Sequence, residues 1–473
     1  MSTVVRRGLT GTALVAVFVL GAVAVAAVAP AGAWSVTPAQ GLAGPTAPPV
    51  SVGEEPLIEG PLPAAEFGDP EASSISQTAP WLAAGPDLAL AGYVEEEFLI
   101  TSGSSTTRLL VRRPTTIAAF SGTALVEWQN ADAGFDLDAV WTASSQLLTT
   151  RGHAWVGVTV SPVAAAHLRS WSPARYGALS VDETAAATAL DDVATALLRS
   201  YGLLGELRPT QLLAVGARGA AGALADVVTD RAAKSTARAT GPPAAGYYDG
   251  YAFVVGPAPA VDPGVPVLHV LSELDATILE PRPDGDRYRR WEVAGTAPAS
   301  VLGELGAEVA LLRDVGAEAL AIPTCDAPAP AGVPGQHVLR GAIDALVRWA
   351  APGVPPANAP RLTRTADGVV VRDDLGNALG GIRLAAIAVP TAGHSGFNAG
   401  DGLCPLLGST TPLDEETIAA LYPSHDDYVR AATFVIARNL ERGFVTVDDA
   451  TASMVAAVRS DVGRAQQSSS TSE

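Results

Sequence analysis

Short, continuously apolar segments that alternate with helical ones constrain the fold of this chain most strongly. Residues 154–160, 211–215 and 266–271 are apolar except for one polar residue in each, as strands buried on both faces of a sheet are. Helical patterns follow the first two, at residues 182–201 and 220–230. Strands that alternate with helices predict an α/β fold with a mostly parallel, doubly wound sheet. Further strands are predicted at 124–128 and 289–294, and further helices at 139–149 and 336–350.

Both ends of this pattern carry additions. Residues 92–100 and 108–112 are strand-like and are separated by a Gly/Ser turn, which predicts an N-terminal hairpin. Residues 362–390 suggest further hairpin strands, so an inserted or C-terminal elaboration is expected beyond the sheet. Helical patterns follow at 413–421, 425–442 and 447–464.

The first 33 residues, 1–33, have the pattern of a secretory signal peptide. Arg6 and Arg7 precede an apolar run at 13–29, and Ala-Gly-Ala at 31–33 is a suitable cleavage site. An uncleaved membrane anchor is the alternative, but this run is short for a membrane span and rich in Ala and Gly. We therefore expect secretion, by the Sec route or by twin-arginine export. A flexible lead-in at 34–55 and a disordered tail at 466–473 are also expected.

The charge balance excludes two classes of partner. The chain has 30 basic and 49 acidic residues, a net charge of −19, and loss of Arg6 and Arg7 with the signal peptide leaves 28 against 49, or −21. Nucleic acids and anionic membrane surfaces both require a basic face, so neither is an expected partner. A small-molecule ligand is compatible with this composition, and the sequence identifies no protein partner.

The chain has two cysteines, Cys325 and Cys404. In the oxidising compartment that secretion implies, they are predicted to form one disulfide. Two cysteines cannot build a zinc site without histidines, and the six histidines show no metal-ligand spacing. We therefore expect no metal and no other cofactor.

A strand-to-helix turn at residues 212–222 is the first candidate for chemistry, because functional groups of doubly wound sheets lie at the carboxyl ends of strands. Small residues surround Arg218, the position at which a nucleophile elbow carries its serine. Arginine cannot be a nucleophile because its guanidinium stays protonated, and residues 211–234 contain no serine. The alternative is an ordinary turn with no catalytic history.

Two later strand ends are the places for the acid and the base of a catalytic triad. Asp275, with Glu273 behind it, follows the strand at 266–271 and is the candidate acid. A solvated loop carboxylate or an N-cap is the alternative for it. The strand at 289–294 ends where a base should follow, but that position holds Pro298, which has no side-chain donor or acceptor.

Several segments in one order make this chain resemble the actinobacterial-type alpha/beta hydrolase domain proteins, a branch of the α/β-hydrolase superfamily. The resemblance covers about residues 55–465 and implies a single α/β-hydrolase domain over that range. The segments are GYVEEEF at 92–98, VEWQN at 126–130, GHAWVGV at 152–158, WEVAGTA at 291–297, GNALGGIR at 376–383 and LGSTTP at 407–412.

The same resemblance shows where this chain departs from its relatives. The family pattern G-x-S-Q-S-A stands here as GARGAA at 216–221, and W-E-V-A-G-T-A-H ends in Pro298. Only the acid position, Asp275, is kept, so the pair that would activate a serine is missing. The amide of Gly219 and one near Asn130 could still form an oxyanion-hole-like pocket.

The histidines offer no evident replacement for the base. His337 opens a predicted helix and matches a family histidine position, but a structural or capping role fits it better. His269 is expected to be a satisfied core histidine, and His153 belongs to the start of a strand. His394 lies in a Gly-His-Ser-Gly segment that we interpret as a loop, because no buried strand precedes it.

Two functions from different classes follow. The first is a secreted α/β-hydrolase-fold protein that binds a ligand or acts as a scaffold without hydrolysis. In this interpretation Arg218 forms a salt bridge with Asp275 or Glu273 that fills the old site, or it holds a carboxylate or phosphate of a ligand. The alternative is an active carboxylic-ester-type hydrolase that uses an unrecognised nucleophile.

Overall fold

Runs of Val, Leu, Ile and aromatic residues form the strands, because branched and aromatic side chains fit the pleated surface of a sheet. In the computed structural model these runs lie where the apolar segments predict them, with Ala154–Val158 and Gln211–Ala217 buried along their whole length. The strands are β1 Leu57–Glu59, β2 Tyr93–Ser102, β3 Ser105–Pro114, β4 Thr123–Trp128, β5 Ala154–Val158, β6 Gln211–Ala217, β7 Gly250–Val254, β8 Val267–Leu271, β9 Tyr288–Glu292, β10 Ala392–Ser395 and β11 Ser409–Pro412.

The structure describes residues 56–63, 79–85, 87–182, 185–199, 202–237, 246–303, 308–316 and 324–464. They belong to one compact unit, Ser51–Glu473. The predicted signal peptide at 1–33, the lead-in at 34–55 and the tail at 466–473 lie outside the described residues. Within the part of the chain that is described, no helix has the length and apolarity to cross a membrane.

The described strands β1 to β9 form one sheet in the order β1-β2-β3-β5-β4-β6-β7-β8-β9. From β5 to β9 all neighbours are parallel, whereas β1, β2 and β3 pair antiparallel with each other and β3 pairs antiparallel with β5. The hairpin of β2 and β3 confirms the predicted N-terminal hairpin, with Ser102 opposite Ser105 at its turn. The predicted mostly parallel α/β sheet is therefore confirmed.

Helices cover both faces of this sheet and begin and end at recognisable signals. Ser424 and Thr446 cap their helices by accepting hydrogen bonds from the amides of Asp427 and Asp449, and Gly152 ends another with a φ of 71°. The helices are α1 Asp87–Leu90, α2 Ala139–Arg151, α3 Pro162–Trp171, α4 Pro173–Tyr176, α5 Ala185–Arg199, α6 Gly219–Ala237, α7 Glu273–Ile278, α8 Pro298–Leu302, α9 Glu308–Asp314, α10 Gln336–Ala350, α11 Ala385–Ala388, α12 Cys404–Leu407, α13 Glu415–Leu421, α14 His425–Glu441 and α15 Val447–Arg459.

Two large apolar cores lie on the two faces of the sheet. One core contains Leu125 and Leu213 of the sheet together with residues of α2, α10 and α14. The other contains Val126 and Ala214, which alternate with the first pair along the same strands, together with residues of α5 and α6. This alternation follows from the two-residue period of a strand, and it determines which helices pack on each face of the sheet.

The C-terminal elaboration is held to the sheet at several points. The Cys325–Cys404 disulfide is formed, with 5.5 Å between the two Cα atoms, and the Ala392–Ser395 and Ser409–Pro412 strands pair antiparallel. The prediction that His394 lies in a loop is wrong, because residues 392–395 form a strand. Their partner strand, residues 409–412, is distant in the sequence, and no local pattern identifies it. Residues 362–390 pair through isolated bridges and contain α11, so extended hairpin strands do not form there.

Residues 361–382 cover the outer edge of β9, the last strand of the sheet. The Ile382 amide donates to the Glu292 carbonyl at 2.7 Å, and the Ala294 amide donates to the Ile382 carbonyl at 3.1 Å. The Leu362 amide donates to the Glu292 carboxylate at 2.8 Å. The carboxyl end of the last strand is therefore hydrogen-bonded to another segment of the same chain.

Candidate functional site

Arg218 occupies the turn between β6 and α6 in a left-handed conformation, with a φ of 53°. A non-glycine residue there is strained, because its Cβ lies too close to its own backbone. The neighbours must be small: a Cβ on Gly216 would lie 2.8 Å from the Ala220 carbonyl oxygen, and one on Gly256 would lie 2.4 Å from that of Arg218. This crowded strand-to-helix turn has the geometry of a nucleophile elbow, with an arginine at its apex.

The first amide of α6 faces a carboxylate of the same chain. The Gly219 amide donates to Asp132 Oδ2 at 3.3 Å, and a Cβ on Gly219 would lie only 2.2 Å from Asp132 Oδ1. The Asn130 amide, expected near the same pocket, donates instead to the Leu137 carbonyl at 3.2 Å. Asp132 was missed by the sequence reasoning, although it follows the end of β4, the strand adjacent to the elbow strand.

Asp275 lies in the first turn of α7 and is buried, with 6% of its surface exposed. Its carboxylate accepts a hydrogen bond from the Ser272 hydroxyl, which also caps the helix through the Asp275 amide at 3.2 Å. Burial raises the pKa of this carboxyl group, while the Ser272 hydroxyl and then the Arg218 charge act in the lowering direction. The structure thus places the Arg218 charge within electrostatic reach of the retained acid position.

Glu273, the other carboxylate considered for Arg218, is held by a different set of groups. It is fully buried and accepts from the Gly295 amide at 2.7 Å and from the Gly396 amide at 3.2 Å. It also forms an ion pair with Arg372. Its carboxylate therefore joins the carboxyl ends of β8 and β9 to the C-terminal elaboration, and a salt bridge from Arg218 to Glu273 is not what the structure shows.

Pro298 is the first residue of α8, where the missing N–H of proline leaves no hydrogen bond unmade. The base position is therefore taken by a residue that starts a helix and has no titratable group. His394 lies near this region, since a Cβ on Gly295 would be 3.2 Å from the His394 Cβ. Its Nδ1 is 3.1 Å from the Thr410 hydroxyl, and burial lowers its pKa.

His337 lies in the first turn of α10 and meets two residues of α15. Its Nε2 is 3.6 Å from Asp449 Oδ1, and its Nδ1 is 3.4 Å from the Ser453 hydroxyl. Arg340 also pairs with Asp449, at 2.6 Å. Burial lowers the pKa of His337, with Asp449 acting in the raising direction and Arg340 in the lowering direction. Serine, histidine and aspartate meet here outside the elbow.

Two other histidines have structural partners. His269 is buried, with Nδ1 2.8 Å from the Tyr288 hydroxyl and Nε2 2.7 Å from the Gly256 carbonyl oxygen, which confirms its core role. His153 precedes β5 and its Nδ1 is 2.7 Å from the Ser121 hydroxyl. That pair lies at the amino ends of β4 and β5, away from the edge at which the elbow lies.

Among the described residues, no group of three or more His, Cys, Asp and Glu side chains is arranged to hold a metal ion. The elbow contains a cation and one helix amide that is bound to the Asp132 carboxylate, and Asp275 lies within the electrostatic influence of the cation. These groups can bind a polar or charged molecule, but Arg218 and Pro298 cannot transfer the proton that serine hydrolysis requires.

Comparison with a family model identifies the fold. A family model described as an alpha/beta hydrolase domain matches residues 101–455. An alpha-beta serine hydrolase homologue from Coxiella burnetii is 14% identical, with 48% of this chain and 97% of that chain covered and a TM-score of 0.28. A hyperthermophilic esterase from the archaeon Pyrobaculum calidifontis is 14% identical, with coverages of 50% and 88% and a TM-score of 0.28. A lidless a/b serine hydrolase from Xanthomonas campestris is 13% identical, with coverages of 49% and 96% and a TM-score of 0.29. No curated protein matches the chain.

Proposed function

Because the chain belongs to the alpha/beta hydrolase domain family, whose model matches residues 101–455, we propose that it is a secreted member that binds without hydrolysing esters. Membership in the family implies the fold alone, since one fold hosts many functions. The proposal therefore depends on the chemistry of the residues at the elbow and at the neighbouring strand ends.

The observation that carries the proposal is Arg218 at the apex of the elbow. Its φ of 53° is the conformation that presents the apex side chain of an elbow at the top of the sheet. A guanidinium stays protonated and has no lone pair to offer, so it cannot form an acyl-enzyme. A serine shifted by a few residues is excluded by the sequence from 211 to 234.

Pro298 removes the second half of the proton-transfer pair. Without a base at this position, even a serine at the elbow would lack the group that takes its proton. Asp275 remains, but its carboxylate is hydrogen-bonded to Ser272 and lies in the field of Arg218. Among the described residues this carboxylate binds a hydroxyl and orients no histidine, which fits a binding site better than a catalytic one.

Secretion is the second part of the proposal. The signal-peptide pattern at 1–33 and the two cysteines support it, because disulfides persist in oxidising compartments. The Cys325–Cys404 disulfide is compatible with that compartment. Recovery of the mature chain from the culture medium, beginning at Trp34, is the expected result; retention of residues 1–33 on the cell would contradict this part.

An ester assay with an active-site probe tests the absence of hydrolysis. The purified mature protein should give no turnover of p-nitrophenyl acetate or butyrate above the blank and no labelling by a fluorophosphonate. The double variant Arg218→Ser with Pro298→His tests whether the remaining pocket is competent, and Arg218→Ala with Pro298→His is its matched control. Wild-type turnover that is abolished by serine modification would overturn the proposal.

One cluster has the residue types that the second candidate, an ester hydrolase with another nucleophile, would need. Ser453, His337 and Asp449 meet at 3.4 and 3.6 Å, both longer than a good hydrogen bond. Asp449 is already bound by Arg340, so the cluster more closely resembles a helix–helix contact. If the wild-type protein hydrolyses esters, Ser453→Ala should abolish the activity and Ser121→Ala should leave it unchanged. Activity that survives Ser453→Ala would exclude this cluster.

A further inference from the structure

A cleft lies between the turn of the β2–β3 hairpin and α5. Its volume is about 220 Å³, which is below the roughly 300–1,000 Å³ of pockets for drug-sized ligands, so it suits only a small molecule. The side chains that line it include Ile100, Ser102, Ser105 and Thr107 of the hairpin and Ala189 and Asp192 of α5. The cleft therefore combines an apolar wall, several hydroxyl groups and one carboxylate.

This cleft is separate from the elbow. The strands β5 and β4 lie between β3 and β6 in the sheet, and neighbouring strands are about 4.8 Å apart, so β3 and the elbow strand are on the order of 14 Å from each other. The residues that line the cleft include neither the elbow turn nor Asp275 and Pro298. A ligand bound here would leave the elbow free.

Asp192 is the charged residue of the cleft, and its carboxylate can still accept a hydrogen bond. Its Oδ2 is buried and has no hydrogen-bond partner among the described residues. Buried polar atoms are nearly always satisfied, so such an atom indicates a donor that a water or a ligand supplies. Burial raises the pKa of this carboxyl group, with the hydrogen bond to Ser102 acting in the lowering direction. A bound cation would offset the cost of burying this charge.

Two hydroxyl groups of the cleft donate their protons within the chain. Ser105 donates to the Ser180 carbonyl at 2.9 Å, and Thr107 donates to the Thr159 carbonyl. A hydroxyl group whose proton is committed can only accept further hydrogen bonds, through its remaining lone pairs. These hydroxyls and the carboxylate therefore favour a ligand that donates several hydrogen bonds and carries a positive charge.

A primary ammonium group meets both requirements, because it has three N–H donors and a compact positive charge. Ile100 and Ala189 are buried apolar residues of the same cleft, and they suit a short methylene chain. The one lysine of the sequence, Lys234, pairs with Asp230 at 2.5 Å, so the ammonium group belongs to another molecule. The net charge of −19 favours the approach of cations to this surface.

We infer that this cleft binds a small primary alkylammonium ion. The nitrogen donates to the Asp192 carboxylate and to the Ser105 and Thr107 hydroxyls, and the alkyl chain packs on Ile100 and Ala189. This inference is independent of whether the elbow hydrolyses esters, because the two sites share no residue.

Ligand-observed saturation-transfer NMR of the full mature chain tests this inference, with n-butylammonium chloride as the probe. n-Butanol has the same alkyl chain without the charge, and tetramethylammonium has the charge without an N–H donor. n-Butylammonium should bind, and each comparison probe should bind at least ~10-fold more weakly, which is what loss of a charge-assisted hydrogen bond costs. Equal binding of either comparison probe would overturn the inference, as would binding of calcium chloride without binding of n-butylammonium.

Variants of two neighbouring carboxylates on α5 locate the site. Asp192→Asn should weaken n-butylammonium binding at least ~10-fold. Asp191→Asn is the matched control, since it removes a charge that pairs with Arg231 at 3.0 Å, and it should bind within roughly 2-fold of the wild type. Equal binding by Asp192→Asn and the wild type would overturn the inference. If Asp192→Asn fails to fold, Ala189→Leu, which fills the cleft without changing its charge, should abolish binding, and undiminished binding would overturn the inference as well.

Discussion

Replacing Glu273 by alanine should lower the free energy of unfolding far more than replacing it by glutamine, because this carboxylate holds the carboxyl ends of β8 and β9. The Glu273 carboxylate is fully buried and accepts from the Gly295 and Gly396 amides at 2.7 and 3.2 Å. It also pairs with Arg372, whose side chain keeps 27% of its surface exposed and also donates to the His394 carbonyl at 3.1 Å. Removing the carboxylate therefore leaves two buried amides without an acceptor and one cation with neutral acceptors only.

The magnitude follows from these contacts. Each buried donor left unsatisfied costs about 1–3 kcal/mol. The ion pair adds less than a fully buried one because Arg372 remains partly solvated, so Glu273→Ala should lower the free energy of unfolding by about 3–5 kcal/mol. Glu273→Gln keeps an oxygen for the amides and should cost about 1–2 kcal/mol.

Urea unfolding followed by tryptophan fluorescence measures these differences. Glu441→Ala, at an exposed position, is the control and should change the free energy of unfolding by less than about 0.5 kcal/mol. A loss below about 1 kcal/mol for Glu273→Ala, or equal losses for the alanine and glutamine variants, would refute the role given to this carboxylate.

Three further changes have signs fixed by the structure. Gly341→Ala would place a Cβ 2.4 Å from the Phe444 carbonyl oxygen and should lower the free energy of unfolding by about 1–3 kcal/mol. Gly222→Ala, whose nearest neighbour would lie at 3.7 Å, should raise it by up to ~1 kcal/mol. Equal melting temperatures of the two variants would contradict the contact at Gly341. Arg218→Gly should be more stable than Arg218→Ala by about 1 kcal/mol in urea titrations, because only glycine accepts the φ of 53° without strain; the reverse order would refute the strain. Burial lowers the pKa of His153 from 6.5 to about 4, so the free energy of unfolding should fall by at most ~3 kcal/mol as the pH drops from 6.5 towards 4 and the unfolded chain takes up the proton first. Unfolding curves of His153→Gln at pH 7 and pH 4 should lack this part of the decrease. A decrease as large as that of the wild type would exclude the contribution of His153.

The parts of the fold that local patterns encode were predicted well. The apolar run at 211–215 became β6, and the helical pattern at 336–350 became α10, Gln336–Ala350, because burial on both faces and a 3.6-residue period are local properties of sequence. The strand β7, Gly250–Val254, escaped prediction because it begins at a glycine, a residue that strands disfavour.

The site was predicted in position but not in its contacts. The elbow at Arg218 and the helix start at Asp275 follow from strand ends, which sequence patterns locate. The partners of these residues come from distant segments: Asp132 lies 87 residues from Gly219, and Arg372 lies 99 residues from Glu273. No spacing rule connects such residues, so only the folded chain shows that Glu273 is taken by Arg372 and is not available to Arg218.

The covered edge of β9 has a consequence for how this chain behaves at high concentration. An uncovered edge strand offers free N–H and C=O groups to any other chain, which is a common route to aggregation. Here the Glu292 carbonyl and carboxylate are already bound by the amides of Ile382 and Leu362. Residues 361–382 thus act as a guard against intermolecular strand pairing, and a chain shortened within them should form insoluble assemblies before it loses its helices.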